Sequence, residues 1–184
     1  MSKVITGNPG VGKHTIAKHI AKNLKLELVD INKVAVENGI FVRGKETLDV
    51  DTKALQKILN KKITSHSLVV GHLAPYVIPR NKVQIVIVLR KNPYKLVSVY
   101  KKRKYSKQKT IENLGSEILG ITFYDALKKF GPTKTRQIDT SLSSVSKVVK
   151  KIEMLFEKGK FQEDQVDWLD LISKKHDLKR FFPY

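Results

Sequence analysis

Short β-branched runs that alternate with helically spaced apolar stripes predict an open α/β sheet for this 184-residue chain. A glycine-rich loop joins the first run to the first stripe, the place where such sheets hold phosphate. The 36 Lys+Arg against 17 Asp+Glu give a formal charge of +19, which favours polyanionic partners.

The first strand is expected at Val4–Thr6, followed by a turn over residues 7–12. From Lys13 onward Ile16, Ala17, Ile20, Ala21 and Leu24 recur at helical spacing. Leu26–Val29 reads as a second buried strand that ends at Asp30. Leu55, Ile58, Leu59 and Ile63 mark a helix with Asp51 as its N-cap. Leu68–Val70 and Val83–Leu89 are apolar enough for strands covered on both faces, as in a parallel sheet. Arg136–Asp139 is a weaker last strand. Val145, Val148, Val149, Ile152 and Phe156 then form another helical stripe. No repeat or low-complexity segment interrupts this order.

Composition removes whole classes. Hydrophobic residues make up 41% of the chain, so a folded core is expected. The absence of cysteine excludes disulfides, thiol nucleophiles and thiolate zinc sites. No run approaches about 18 apolar residues, and no membrane partner is expected. The first six residues lack a signal-peptide core, and a cytoplasmic location is expected.

Gly7-Asn8-Pro9-Gly10-Val11-Gly12-Lys13-His14-Thr15 follows a strand and opens a helix, the setting of a phosphate-binding P-loop. Successive N–H groups would converge on phosphate oxygens while Lys13 reaches the β and γ oxygens. Asn8, Gly10, Val11, Gly12, Lys13, His14 and Thr15 are therefore the expected nucleotide-binding residues, with ATP and Mg²⁺ as the expected ligands. The residue after the lysine ordinarily offers a hydroxyl to Mg²⁺. Here it is His14, read as a tolerated substitution, with Thr15 on phosphate.

At these residues the sequence resembles the archaeal and nuclear adenylate kinase family, also called the coilin-interacting nuclear ATPase family. The resemblance runs through the loop, Gly71-His72, Val88-Leu89-Arg90 and Arg103-Lys104-Tyr105-Ser106. Glu112-Asn113, Glu117 and Val166-Asp167-Trp168 carry it further. It implies a P-loop NTPase fold of the nucleoside monophosphate kinase type, with a five-stranded parallel sheet flanked by helices. It also implies a short lid over residues 91–110 and a monophosphate-binding region over 31–65 within a kinase domain of residues 1–160. A tail, 161–184, packs on that domain or binds a partner. The implied activity is adenylate kinase with slow ATP hydrolysis, using ATP, ADP and AMP. The implied setting is maturation of the small ribosomal subunit through the ribosomal protein uS11. Arg90 and Arg103 match lid arginines near the phosphates, and His72 matches the histidine of an Asp-x-His motif tied to hydrolysis.

The sequence departs from that pattern at Val70, where the motif has aspartate, and at Lys33, where the family carries an acid. With His14, both usual protein anchors for the metal are replaced. Asp30 is the candidate substitute, its other role being to cap the next helix. Arg43 and Arg80 are candidates for a monophosphate clamp by location alone.

The basic run Lys101–Lys109 reads as a solvated face, a phosphate lid or an rRNA contact. An assembly factor that binds uS11 or rRNA is thus the competing function, with Glu112, Glu117 or Asp167 as local docking acids. A kinase of another small molecule also stays open, because the loop does not reveal the acceptor.

Overall fold

The computed structural model describes residues 1–40, 42–43, 48–158 and 163–183. A five-stranded sheet is built from β1 (Ser2–Gly7), β2 (Glu27–Asp30), β5 (Ser67–Val70), β6 (Val83–Arg90) and β7 (Thr135–Asp139). Its order is β2-β5-β1-β6-β7, and every neighbouring pair is parallel. A short antiparallel pair, β3 (Val42–Arg43) with β4 (Leu48–Asp49), stands apart from it.

Side-chain alternation along the strands splits the core into two layers. Ile5, Leu68, Val70, Ile87, Leu89 and Ile138 face one side. There they meet α1 (Lys13–Asn23), α5 (Pro93–Lys102), α6 (Lys107–Ile118) and α8 (Val145–Lys158). Val4, Val29, Val69, Val86 and Val88 face the other side, against α2 (Ile31–Glu37), α3 (Thr52–Lys62), α4 (Ala74–Val77) and α7 (Ile121–Phe130). Each fully buried branched side chain contributes about 1.5–3 kcal/mol. This two-sided burial is why β5 and β6 read as near-continuous apolar runs.

The C-terminal segment joins the first layer. Trp168 and Ile172 of α9 (Trp168–Lys174) and Phe181 of α10 (Leu178–Phe181) are buried in it. The expected boundary at 160/161 lies outside the described residues. Ahead of α9, Glu163 accepts from the Gln137 N–H and Asp164 from the Asp139 N–H, each at 2.9 Å. The two carboxylates thereby satisfy donors along the outer side of β7. Among the described residues no helix is long and apolar enough to cross a membrane.

Candidate active site

The C-terminal ends of β1, β2 and β5 meet at one edge of the sheet, where the loop after β1 turns into α1. Gly7 ends β1 with φ +139°, and a Cβ there would stand 2.4 Å from the Leu89 carbonyl oxygen. Gly10, at φ +90°, lies so close to Leu96, Tyr100 and Val99 that a side chain would push into α5. Both positions need glycine for the loop to curl over the sheet edge. Gly12 caps α1 without a side chain, which leaves the first N–H groups of the helix open to an anion.

A cavity of about 400 Å³ opens over this loop. Gly10, Gly12, Lys13, His14 and Thr15 line one wall; His72 and Arg103 line the rest, with Tyr105, Lys109 and Asn113. Lys13 is buried, and its Nζ donates to the Asn8 carbonyl at 3.3 Å. Burial, reinforced by the Arg103 charge, lowers the Lys13 ammonium from 10.5 to about 8. His72 follows β5 and is held at about 4, first by burial and then by the charges of Lys13, His14 and Lys109. It is a neutral imidazole at pH 7. The concentration of unpaired positive charge around an open cavity is the electrostatic form of a polyphosphate site.

Asn8 and Val11, expected on the nucleotide, are not among the residues that line the cavity. Val11 packs in the core. The Asn8 amide is engaged at both ends: Nδ2 donates to Glu117 at 2.8 Å, and Oδ1 accepts from Ser116 and Thr122 at 3.0 Å each. Glu117 is buried at the centre of this arrangement. Its Oε1 also accepts from Arg90 Nε at 2.9 Å, the Lys91 N–H at 3.0 Å and Trp168 Nε1 at 3.1 Å.

The arginines expected near the phosphates separate in space. Arg103 stands at the cavity mouth, exposed, with a long contact of 3.5 Å to the Tyr105 hydroxyl. Arg90 does not reach the cavity. Its guanidinium is spent on Glu117 Oε1, the Glu117 carbonyl at 2.7 Å and Gln137 Oε1 at 3.0 Å, and it is buried. Arg80 precedes β6 and so lies at the opposite end of the parallel sheet from the loop. The Arg43 side chain lies outside the described residues.

Tyr100 and Tyr105 escaped sequence reasoning as a unit. Their rings stack with centroids 5.2 Å apart, the Tyr100 hydroxyl donates to the Pro9 carbonyl at 2.7 Å, and Lys109 sits over Tyr105 at 4.6 Å. The basic segment is thereby tied to the phosphate loop. Only the tyrosine spacing around the lysine run hinted at this.

Asp30 performs the capping role: Oδ1 accepts from the Asn32 N–H at 2.9 Å and the Lys33 N–H at 3.3 Å. Its Oδ2 lies 3.2 Å from His14 Nε2. Burial raises the Asp30 carboxyl, but the His14 pairing and the Lys33 and Asn32 N–H groups together hold it below its usual value. In the sheet register Asp30 is the direct neighbour of Val70, so the carboxylate absent from β5 stands one strand across in β2.

The family profile described as "AAA domain" matches residues 4–120. A Thermococcus kodakarensis protein named "Putative adenylate kinase" is 31% identical over 169 residues, spanning 91% of this chain and 92% of the relative. A protein of the same name from Methanococcus maripaludis is 29% identical over 174 residues, spanning 90% and 94%. The chain belongs to this adenylate kinase-like family. Solved structures share the fold at low identity. Shikimate kinase from Acinetobacter baumannii in complex with shikimate superposes with a TM-score of 0.61 at 19% identity, covering 88% of this chain and 95% of that one. The Bacillus subtilis YorR protein in complex with phosphorylated GDP has the same TM-score at 16% identity, covering 88% and 100%.

Membership in the adenylate kinase-like family makes this a P-loop kinase fold with a nucleotide substrate. P-loop kinases ordinarily use Mg²⁺ with that nucleotide. Mg²⁺ needs one or two carboxylates besides phosphate oxygens and water. Asp30, ionised and partly exposed beside the loop, meets that need, so the donors present fit a nucleotide-bound divalent cation.

Proposed function

We propose that the chain transfers the γ-phosphoryl group of ATP to AMP, giving two ADP, with slow ATP hydrolysis as a side reaction. The observation that carries this reading is the buried Lys13 at the base of a cavity whose other walls hold His72 and Arg103. A phosphate oxygen of AMP bonds to the γ phosphorus as the bond to the β–γ bridging oxygen breaks, and ADP leaves. The loop N–H groups and Lys13 stabilise charge on the β and γ oxygens. Arg103 closes over the transferring group from the mouth, and neutral His72 orients AMP or water by hydrogen bonding. Arg90 acts through Glu117, holding the loop rather than the phosphates. Asp30 would hold Mg²⁺ beside the phosphate oxygens, where the ion would neutralise the developing charge. Positioning and electrostatics therefore carry the rate.

The test is ADP formation from ATP alone and from ATP with AMP, each with and without Mg²⁺. Mg²⁺-dependent stimulation by AMP supports the adenylate kinase reading. Nucleotide binding without turnover in any mixture overturns it and favours a nucleotide-dependent assembly factor.

In that second reading the protein serves maturation of the small ribosomal subunit, contacting uS11 or rRNA. The exposed lysines from Lys101 to Lys109 favour RNA. At +19 the chain repels a basic protein at long range, and of the local acids Glu112 and Asp167 are exposed while Glu117 is buried. Affinity for an rRNA fragment should fall steeply with salt. A flat salt response overturns the RNA contact.

A further inference from the structure

His14 occupies the position from which a hydroxyl ordinarily reaches the metal, and it does not turn away from that task. Its Nε2 faces Asp30 Oδ2 at 3.2 Å, and both side chains reach solvent, 40% and 27% exposed. Two donors bound to one first-row metal at about 2.1 Å stand about 3.0 Å apart in adjacent octahedral positions and about 3.4 Å apart in a tetrahedron. The observed separation falls between the two. The carboxylate is fixed from behind, because Oδ1 caps α2 through Asn32 and Lys33. Only Oδ2 is left to point at the imidazole.

We propose that His14 and Asp30 together hold the cation that accompanies the nucleotide, and that this imidazole–carboxylate pair shifts its preference from Mg²⁺ toward Co²⁺ or Zn²⁺. Mg²⁺ is a hard ion that selects oxygen donors. Imidazole nitrogen suits the later first-row ions, whose site affinities also rise along the series. Among the described residues no group of three or more His, Cys, Asp or Glu side chains forms a metal site, so phosphate oxygens and water complete the shell. The inference therefore rests on the nucleotide reading. It also accounts for both replaced metal anchors at once: the carboxylate moves from β5 to β2, and the hydroxyl after the loop lysine becomes an imidazole that reaches the new position.

The deciding measurement uses the full chain with ADP and Mn²⁺ as the probe. Pulsed electron paramagnetic resonance should show ¹⁴N coupling to the bound Mn²⁺, absent in His14→Thr and retained in His72→Ala. Calorimetric titration of Co²⁺ and Mg²⁺ into the ADP complex gives a second readout. His14→Thr should weaken Co²⁺ about tenfold and leave Mg²⁺ within about twofold. Asp30→Asn keeps a helix-capping side chain and should weaken both ions. Bound ADP and Mn²⁺ without ¹⁴N coupling, or coupling that survives His14→Thr, overturns the inference and leaves the nucleotide reading standing. Failure to bind ADP with any of these ions overturns both.

Discussion

Glu117 grips Asn8 across 109 residues of sequence, carboxylate to amide at 2.8 Å, and so fixes the phosphate loop from outside the loop. The same carboxylate accepts from Arg90 and Trp168. Glu117→Ala would leave a buried guanidinium without its charge partner, at a cost of about 3–5 kcal/mol. Glu117→Gln should cost less, since it keeps the shape and one acceptor. Urea unfolding followed by Trp168, the chain's single tryptophan, measures both variants. A cost below about 1 kcal/mol for Glu117→Ala would contradict the network.

Lys13 makes nucleotide affinity depend on pH. In the free protein the ammonium is lowered to about 8. Phosphates favour its charged form, so ADP affinity should fall as pH rises through 8, by up to about tenfold per unit. Stability of the free protein moves the other way. The unfolded chain binds more protons than the native one between pH 8 and 10.5, so stability rises with pH across that window. Calorimetry in buffers of different ionisation enthalpy should show proton uptake on ADP binding above pH 8, and none in Lys13→Met.

His72 titrates near 6.5 when unfolded and near 4 in the native protein. Below 6.5 the unfolded chain therefore takes up the proton first, and stability is lost as pH falls toward 4. The loss amounts to about 3 kcal/mol. Thermal unfolding of His72→Gln should follow a flatter acid limb than the parent. Parallel limbs would argue against the half-buried neutral imidazole.

Gly7→Ala should damage loop and sheet together. The new Cβ meets the Leu89 carbonyl oxygen at 2.4 Å, and φ +139° is unfavourable for any L side chain. A loss on the order of 2 kcal/mol is expected. Measured ADP affinity should fall with it, because relief of the clash moves the first loop N–H groups.

The sheet was readable because its strands obey one-dimensional rules. Ile87 and Val88 are both apolar because both faces of β6 are covered, and the glycines around Lys13 announce a loop at a strand end. Asp51 and Asp30 cap the helices that follow them, as short acidic residues before helical stripes do. By contrast α7 was hidden by its exposed Ile121 and Tyr124, which blur the helical stripe. The division of labour between Arg90 and Arg103 was equally hidden. Both follow apolar segments and both carry charge, but only folding brings Glu117 and Gln137 to Arg90 and leaves Arg103 over the cavity. The same holds for His14: its letter marks a departure, while its pairing with Asp30 depends on how β2 lies beside the loop.

Glu163 and Asp164 have a consequence for assembly. An open sheet ends in a strand whose free N–H groups invite another strand, from a second copy or from a misfolded neighbour. On β7 the N–H groups of Gln137 and Asp139 already donate to these two carboxylates. An incoming strand would have to expel both acids and accept their negative charge beside its own carbonyl groups. Growth of the sheet past β7 is thus discouraged by two side chains.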